Sequence, residues 1–259
     1  MHFFLKTTLF HIVLLALFLI INKNKVYSEN LNLVVVELFT SQGCSSCPPA
    51  DEGFSSWGRE FFEKNIAIPL SFHVDYWNYL GWKDPFSQAV FSARQKKYAS
   101  VMNLKNIYTP QLVINGQEEM VGTHFSSAIK FIQKQSKKKS PVVLNVKAKL
   151  NEPVIETNIS IQPQSKNNFE SMDLMVVIFE NNLITQIHRG ENKGLRLVNN
   201  FVVRYIENLG SIDLTKPSIQ KNNLQWQNHW IKKNIGIVVF LQKNHSQEII
   251  SSAKFFPLQ

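Results

Sequence analysis

Residues 33–51 read Leu33-Val34-Val35-Val36-Glu37-Leu38-Phe39-Thr40-Ser41-Gln42-Gly43-Cys44-Ser45-Ser46-Cys47-Pro48-Pro49-Ala50-Asp51. The first seven are an apolar, β-branched run interrupted only by Glu37, the pattern of a strand buried on both faces. The last four place two prolines and an acid where a helix starts: proline is tolerated in the first turn, and a carboxylate suits the positive end. Between the two lie the chain's 2 cysteines. A helix N-terminus leaves N–H groups unsatisfied and carries partial positive charge, and both favour a thiolate over a thiol. The thiolate is the form that attacks a disulfide. Cys44, ahead of the helix, is expected to attack and to be the more exposed; Cys47 is expected to resolve. A bridge across two residues constrains the unfolded chain little, so it is a poor staple. Pro48 stands where a c-type haem attachment needs histidine. A zinc site would need two further ligands, and no second cysteine pair exists.

Outward from this segment, the helix is expected to run to about Glu63, with Phe54, Trp57, Phe61 and Phe62 mostly on one face. Ile66–Val74 reads as a second strand, so the segment is a βαβ unit with a parallel pair. A Trp/Tyr-rich loop, Asp75–Asp84, precedes a helix expected from Pro85, including Phe86, Val90, Phe91, Arg94 and Tyr98. Asn115-Gly116 between apolar runs predicts a hairpin, with strands over Gln111–Ile114 and Glu118–Val121. A third helix is expected over His124–Ser136. The order is that of a thioredoxin-like α/β domain, covering residues 31–138. Lys137–Ser140 and Pro141 mark a boundary. Beyond it Val142–Leu150 and Val154–Ile161 alternate, and Leu174–Phe179, Phe201–Ile206 and Ile235–Leu241 add short apolar or mixed runs. This predicts an antiparallel β-sandwich-like domain over residues 141–259.

The N-terminus has Lys6, an apolar stretch from Leu9 to Ile21 and a polar segment, a signal-peptide pattern over residues 1–28 with Val26-Tyr27-Ser28 before the cleavage point. An uncleaved anchor is the alternative. Either way the body of the protein is exported to the bacterial envelope, periplasmic or secreted, where disulfides persist, with no stable membrane span once the leader is removed. The formal charge is +9; without Lys6, Lys23 and Lys25 of the leader it is +6. Lys130, Lys134, Lys137, Lys138 and Lys139 read as a solvated helix end. No aromatic-interleaved basic stripe accompanies them, so nucleic acid is not an expected partner.

Three stretches resemble one family. They are Glu37–Asp51; His73-Val74-Asp75-Tyr76-Trp77 with Leu80-Gly81-Trp82-Lys83-Asp84-Pro85-Phe86; and Tyr108-Thr109-Pro110-Gln111 with Asn115-Gly116. The sequence is similar here to the DUF1223 proteins, exported members of the thioredoxin-like superfamily. The likeness continues weakly at Gly190–Gly194 and Asn199–Arg204. It implies a fold and a compartment and says little about substrate. It also implies that Pro110 is the cis-proline that thioredoxin-like proteins hold beside the disulfide, which turns the backbone of Thr109 toward a substrate peptide.

The remaining candidates come from position. His73 and Asp75, two apart, point to one face at the carboxyl end of a strand, where open α/β sheets bind ligands. His73 is a candidate for tuning the thiolate or shuttling protons; the plainer reading of the two is a hydrogen-bonded structural pair. Tyr76 and Trp77 read as loop packing or as the rim of a substrate site. Glu37, inside an apolar strand, is either a buried proton acceptor near the cysteines or an exposed strand residue. The expected activity is thiol–disulfide exchange on envelope protein thiols or disulfides, without a cofactor. The alternatives are a copper(I) carrier using Cys44, Cys47 and His73, and a binding module on a redox scaffold.

Overall fold

The structure, a computed structural model, describes residues 32–164 and 171–258; the expected leader lies outside the described residues. It is a mixed α/β fold made mostly of strands. In chain order the first half runs β1 (Val34–Thr40), α1 (Pro48–Glu63), β2 (Ala67–His73), a 3-10 turn, α2 (Ala89–Val101), β3 (Gln111–Ile114), β4 (Glu118–Val121) and α3 (Phe125–Ser136). The second half runs β5 (Val142–Asn151), β6 (Val154–Pro163), β7 (Met172–Glu180), β8 (Leu183–Gln186), β9 (Arg196–Asn199), β10 (Val202–Ser211), β11 (Ser218–Gln225), β12 (Ile235–Lys243) and β13 (Ile249–Phe255).

The βαβ expectation holds: β1 and β2 are parallel, in register from Val34↔Ala67 to Thr40↔His73. Every residue of β1 is buried. Its side chains alternate between two cores. Val34, Val36 and Leu38 join Phe54, Trp57 and Phe61 of α1 and Ile132 of α3. Val35 and Phe39 face the other way, toward Phe72, Phe91 and Tyr98. The hairpin also forms as read. Asn115 and Gly116 both have positive φ, 48° and 63°, which glycine adopts without strain and asparagine more readily than most. The second helix starts later than Pro85, at Ala89. The Asp84 carboxylate accepts the Phe86 N–H at 2.9 Å, and Ser87 Oγ donates to the Asp84 carbonyl. This turn closes on itself, and Gln88, extended with φ of −139° and ψ of 142°, separates it from the helix.

One eight-stranded mixed sheet, β13-β12-β7-β10-β2-β1-β3-β4, carries strands from both halves. The join is β10 against β2, parallel, at Val202↔Ser71. The expected boundary near Pro141 falls where α3 hands over to β5, and the strands on its two sides share this sheet. Residues Leu31–Gln259 cluster as one compact unit. A second sheet, β11-β6-β5, packs on the β7, β12 and β13 end. In β7, Val176 and Ile178 face that sheet while Val177 and Phe179 face α2's side. Double burial explains why these strands read as continuous apolar runs rather than alternating ones. A two-stranded hairpin, β8-β9, stands apart from both sheets.

Candidate functional site

The chain leaves β1 at Thr40 and turns tightly: Cys44 N–H donates to the Ser41 carbonyl at 3.2 Å and Gly43 N–H to Ser41 Oγ at 3.1 Å. Glycine at 43 is a matter of space, since a Cβ there would meet Trp77 Cβ and O at 3.3 Å. Cys44 and Cys47 form a disulfide with Cα atoms 5.4 Å apart. Cys47 is the N-cap of α1, and Pro48 and Pro49 occupy its first positions. Cys44 is 3% exposed and Cys47 0%, the expected order although both are covered.

The Thr109–Pro110 peptide is cis and lies against the disulfide. The Thr109 carbonyl is 3.9 Å from Cys44 Sγ, and Ser46 Oγ donates to it at 3.5 Å. Trp77 Nε1 donates to Thr109 Oγ1 at 2.7 Å. Tyr76 sits beside Trp77, rings 5.7 Å apart, and donates to Gln95 Oε1. Burial pushes the Tyr76 phenol up to about 12 against opposing hydrogen bonds with Gln95 and Thr109. Cys44, Cys47, Thr109, Pro110 and Trp77 are therefore brought together, with Tyr76 braced behind.

A buried polar layer spans the first turn of α1, the end of β2 and the loop that follows it. Asp51, four residues after Cys47, accepts Thr40 Oγ1–H at 3.1 Å on Oδ2, while Oδ1 is buried without a partner. Burial raises its carboxyl to about 7, with the His73 charge and the Thr40 hydrogen bond pulling the other way. His73 is fully buried, its Nδ1 2.7 Å from Asp84 Oδ2 and its Nε2 unpartnered. Burial disfavours the imidazolium, but the Asp84 charge and hydrogen bond, helped by Asp51, hold its pKa above the ordinary value. Burial likewise opposes the Asp84 carboxylate, yet His73 and the N–H groups of Gln42 and Phe86 keep its pKa low. Sequence reasoning took Asp51 only as an acid at a helix start. The signal that finds it is its spacing: residues four apart on a helix share a face, so Asp51 follows Cys47 inward.

A third layer comes from the other end of the chain. Asn192 Nδ2 donates to the carbonyls of both Gln42 and Cys44, each at 2.9 Å. Glu191 Oε2 accepts the Ser45 N–H at 3.3 Å. Gln42 Nε2 donates to Thr185 Oγ1 and Asn199 Oδ1, and its Oε1 accepts Trp82 Nε1–H. The β8-β9 hairpin and its loop thus clasp the cysteine turn. The matching residues lie 143–157 positions away, so local pattern carries no trace of the contact.

Two expected site residues are placed elsewhere. Glu37 is buried, on the face of β1 opposite Thr40's side chain, and pairs bidentately with Arg94 at 2.6 and 3.1 Å. Tyr98 O–H also donates to it. Burial opposes the Arg94 charge, but Glu37 holds the guanidinium above its ordinary pKa. Asp75 accepts Ser92 O–H, tying the loop after β2 to α2. His73 and Asp75 therefore serve separate partners. Among the described residues no group of three or more His, Cys, Asp or Glu side chains is arranged to hold a metal ion.

Two solved structures share this architecture. Protein AGR_C_4864 from Agrobacterium tumefaciens is 28% identical, with a TM-score of 0.66, over 87% of this chain and 95% of its own. HBP35 of Porphyromonas gingivalis is 14% identical, with a TM-score of 0.67, over 88% of this chain and 76% of its own, a likeness of fold. No curated protein matches the chain. The model of the family described as "Protein of unknown function (DUF1223)" matches residues 35–242, and the chain belongs to that family.

Proposed function

We propose that this protein is an exported thioredoxin-like thiol–disulfide oxidoreductase whose working pair is Cys44 and Cys47. Support for the fold is the order β2-β1-β3-β4 with α1 following the disulfide. In this reading residues 31–138 are the thioredoxin-like part. Residues 141–259, with β5-β6-β11 packed on β7 and β12, are the sandwich-like part. A bridge of this kind persists in an oxidising compartment, which supports the envelope as the site of action.

The observation that carries the reading is the Cys44–Cys47 disulfide at the start of α1 with the cis Thr109–Pro110 peptide against Cys44 and the buried carboxyl of Asp51 one helical turn on. Cys44 alone of the pair has exposed surface, so exchange with a partner starts at that sulfur. In the reduced protein the Cys44 thiolate attacks a substrate disulfide. One substrate sulfur bonds to Cys44, and the other leaves as a thiolate and takes a proton from water. Cys47 S–H then gives its proton to the Asp51 carboxylate, and its sulfur attacks Cys44 Sγ. The Cys44–Cys47 bond forms, the mixed disulfide breaks, and the second substrate sulfur leaves as a thiolate that is protonated in turn. Two electrons pass to the substrate, and the same steps reversed oxidise a substrate dithiol. An acid that titrates near neutrality suits either direction. Thr109, whose carbonyl faces Cys44, and Trp77, which anchors Thr109, are the residues that would meet the partner peptide.

The test is reduction of insulin by dithiothreitol, or oxidation of a reduced test protein, with the purified chain. Activity is expected to vanish in Cys44→Ser and in Cys47→Ser. Undiminished activity in Cys44→Ser would sink the proposal.

A further inference from the structure

The loop between β8 and β9 does more than cover the cysteine turn. We propose that Glu191 is a positioning residue that sets the electron affinity of the Cys44–Cys47 pair. It biases the pair toward the disulfide, and so toward giving electrons rather than taking them. This rests on the redox reading above and deepens it by assigning a direction.

Charge beside the cysteines shifts the balance between disulfide and dithiol. Pro48 and Pro49 supply no N–H at the start of α1, so it is the positive end of the helix dipole that stabilises negative charge placed beside it. In the reduced protein the Cys44 thiolate would draw on that field and on nearby donors such as the Ser45 N–H. Glu191 already takes the Ser45 N–H at 3.3 Å and brings a carboxylate to the residue next to Cys44. Like charge disfavours the thiolate. The neutral disulfide feels no such repulsion, so the oxidised form gains relative to the reduced one.

Glu191 is held in place by its neighbours. Asn192 is 5% exposed and bridges the Gln42 and Cys44 carbonyls. Gly190, with φ of +75°, packs where a Cβ would meet Trp82 Cβ at 3.1 Å and the Leu80 carbonyl at 3.2 Å. Arg189 and Lys193 flank Glu191 in its own loop, and Arg204 acts on His73 and Asp84. On the protein side are Asp51 on α1, with His73 at the end of β2 and Asp84 in the loop that follows. Arg189 and Lys193 soften the effect of Glu191 without replacing a carboxylate that bonds the Ser45 N–H.

The experiment equilibrates the full chain with glutathione at about pH 8. The Cys44–Cys47 bond breaks, two glutathione molecules supply two electrons and two protons, and one glutathione disulfide forms. Glu191→Gln keeps a hydrogen-bond acceptor and removes only the charge. An exposed charge at a helix end has a modest effect. The expected shift is roughly threefold toward the dithiol, about 15 mV at about 30 mV per tenfold change. Cys44 should also ionise about half a pH unit lower. Glu191→Lys should move both quantities further in the same direction, and high salt should shrink the differences. A pair that cycles with glutathione but is unmoved in both variants overturns the role of Glu191 and leaves the redox reading standing. A wild-type pair that neither glutathione nor excess dithiothreitol can reduce overturns both.

Discussion

The Cys47 carbonyl accepts the backbone N–H of Asp51 at 3.0 Å, so a buried carboxyl rides on the first turn of the helix that the disulfide begins. The consequence is a group that folding keeps protonated. Its ionisation is raised from 3.8 to about 7, while the unfolded chain loses that proton near 3.8. Asp51 therefore costs stability increasingly as pH rises from about 4 to 7, and the cost is constant above that. Asp51→Asn should be stabilised relative to wild type as pH rises through this window. The upper bound is about 4 kcal/mol, at roughly 1.4 kcal/mol per pH unit. Thermal unfolding of both proteins between pH 4 and 8 checks it; parallel curves would show that Asp51 is not held neutral.

Asp84 titrates in the opposite sense to Asp51, and His73 in the same sense. Asp84, with a lowered pKa, stabilises the fold above about pH 4 and stops doing so as pH falls through its folded value. His73, with a raised pKa, stabilises it fully below 6.5 and stops as pH rises through its folded value. The pair is worth most between those limits. Asp84→Ala leaves His73 buried and unpaired and also strands the N–H groups of Gln42 and Phe86. Removing one partner of a buried pair costs about 3–5 kcal/mol. Denaturant melts at pH 5.5 should show a loss of that order, and the loss should narrow at alkaline pH.

Arg94 and Glu37 make the same test on the other face of β1. Arg94→Met leaves a buried carboxylate without its cation and should cost about 3–5 kcal/mol. Arg94→Met with Glu37→Leu removes both charges and should recover most of the loss, because nothing charged is left to desolvate. Urea denaturation of the two variants measures the difference. A double variant no more stable than Arg94→Met would mean that the loss comes from the packing of Arg94 and not from the stranded carboxylate.

Thiol reactivity should follow exposure. In reduced Cys47→Ser the remaining Cys44 should be modified by a small disulfide reagent within the range of an accessible thiol. In reduced Cys44→Ser, Cys47 should react at least roughly tenfold more slowly, since access controls the rate. Stopped-flow absorbance on the two variants decides it, and equal rates would remove the asymmetry.

Much of the first half was legible in the sequence because its signals are local. An apolar strand, a C-x-x-C, two prolines and an Asn-Gly turn each act within a few residues, and β1, α1, the β3-β4 hairpin and α3 lie within a residue or two of expectation. The second helix was misplaced because Gln88 is extended, with φ of −139° and ψ of 142°, and separates the turn at Asp84 from the helix that starts at Ala89. β8, β9, β11 and β13 were not read at all. β8 and β9 are four residues each, and β11 is a polar strand with one buried side chain, so period-two burial has little to show.

By itself the sequence determined the spacing of the cysteine pair and the strand and helix that hold it, because covalent spacing and backbone preference act within a few residues; the proline that faces the pair, far along the chain, was indicated only by the family resemblance. Only the tertiary structure decided which charges surround that pair. It turned Glu37 away to Arg94, brought Asp51 inward, paired His73 with Asp84, and laid Asn192 and Glu191 over Cys44-Ser45-Ser46-Cys47. A carboxylate's partner is chosen by which strands neighbour each other and which face they bury. The β10–β2 join that brings the second half onto the first is set by burial of both faces of one sheet, a property of no single segment.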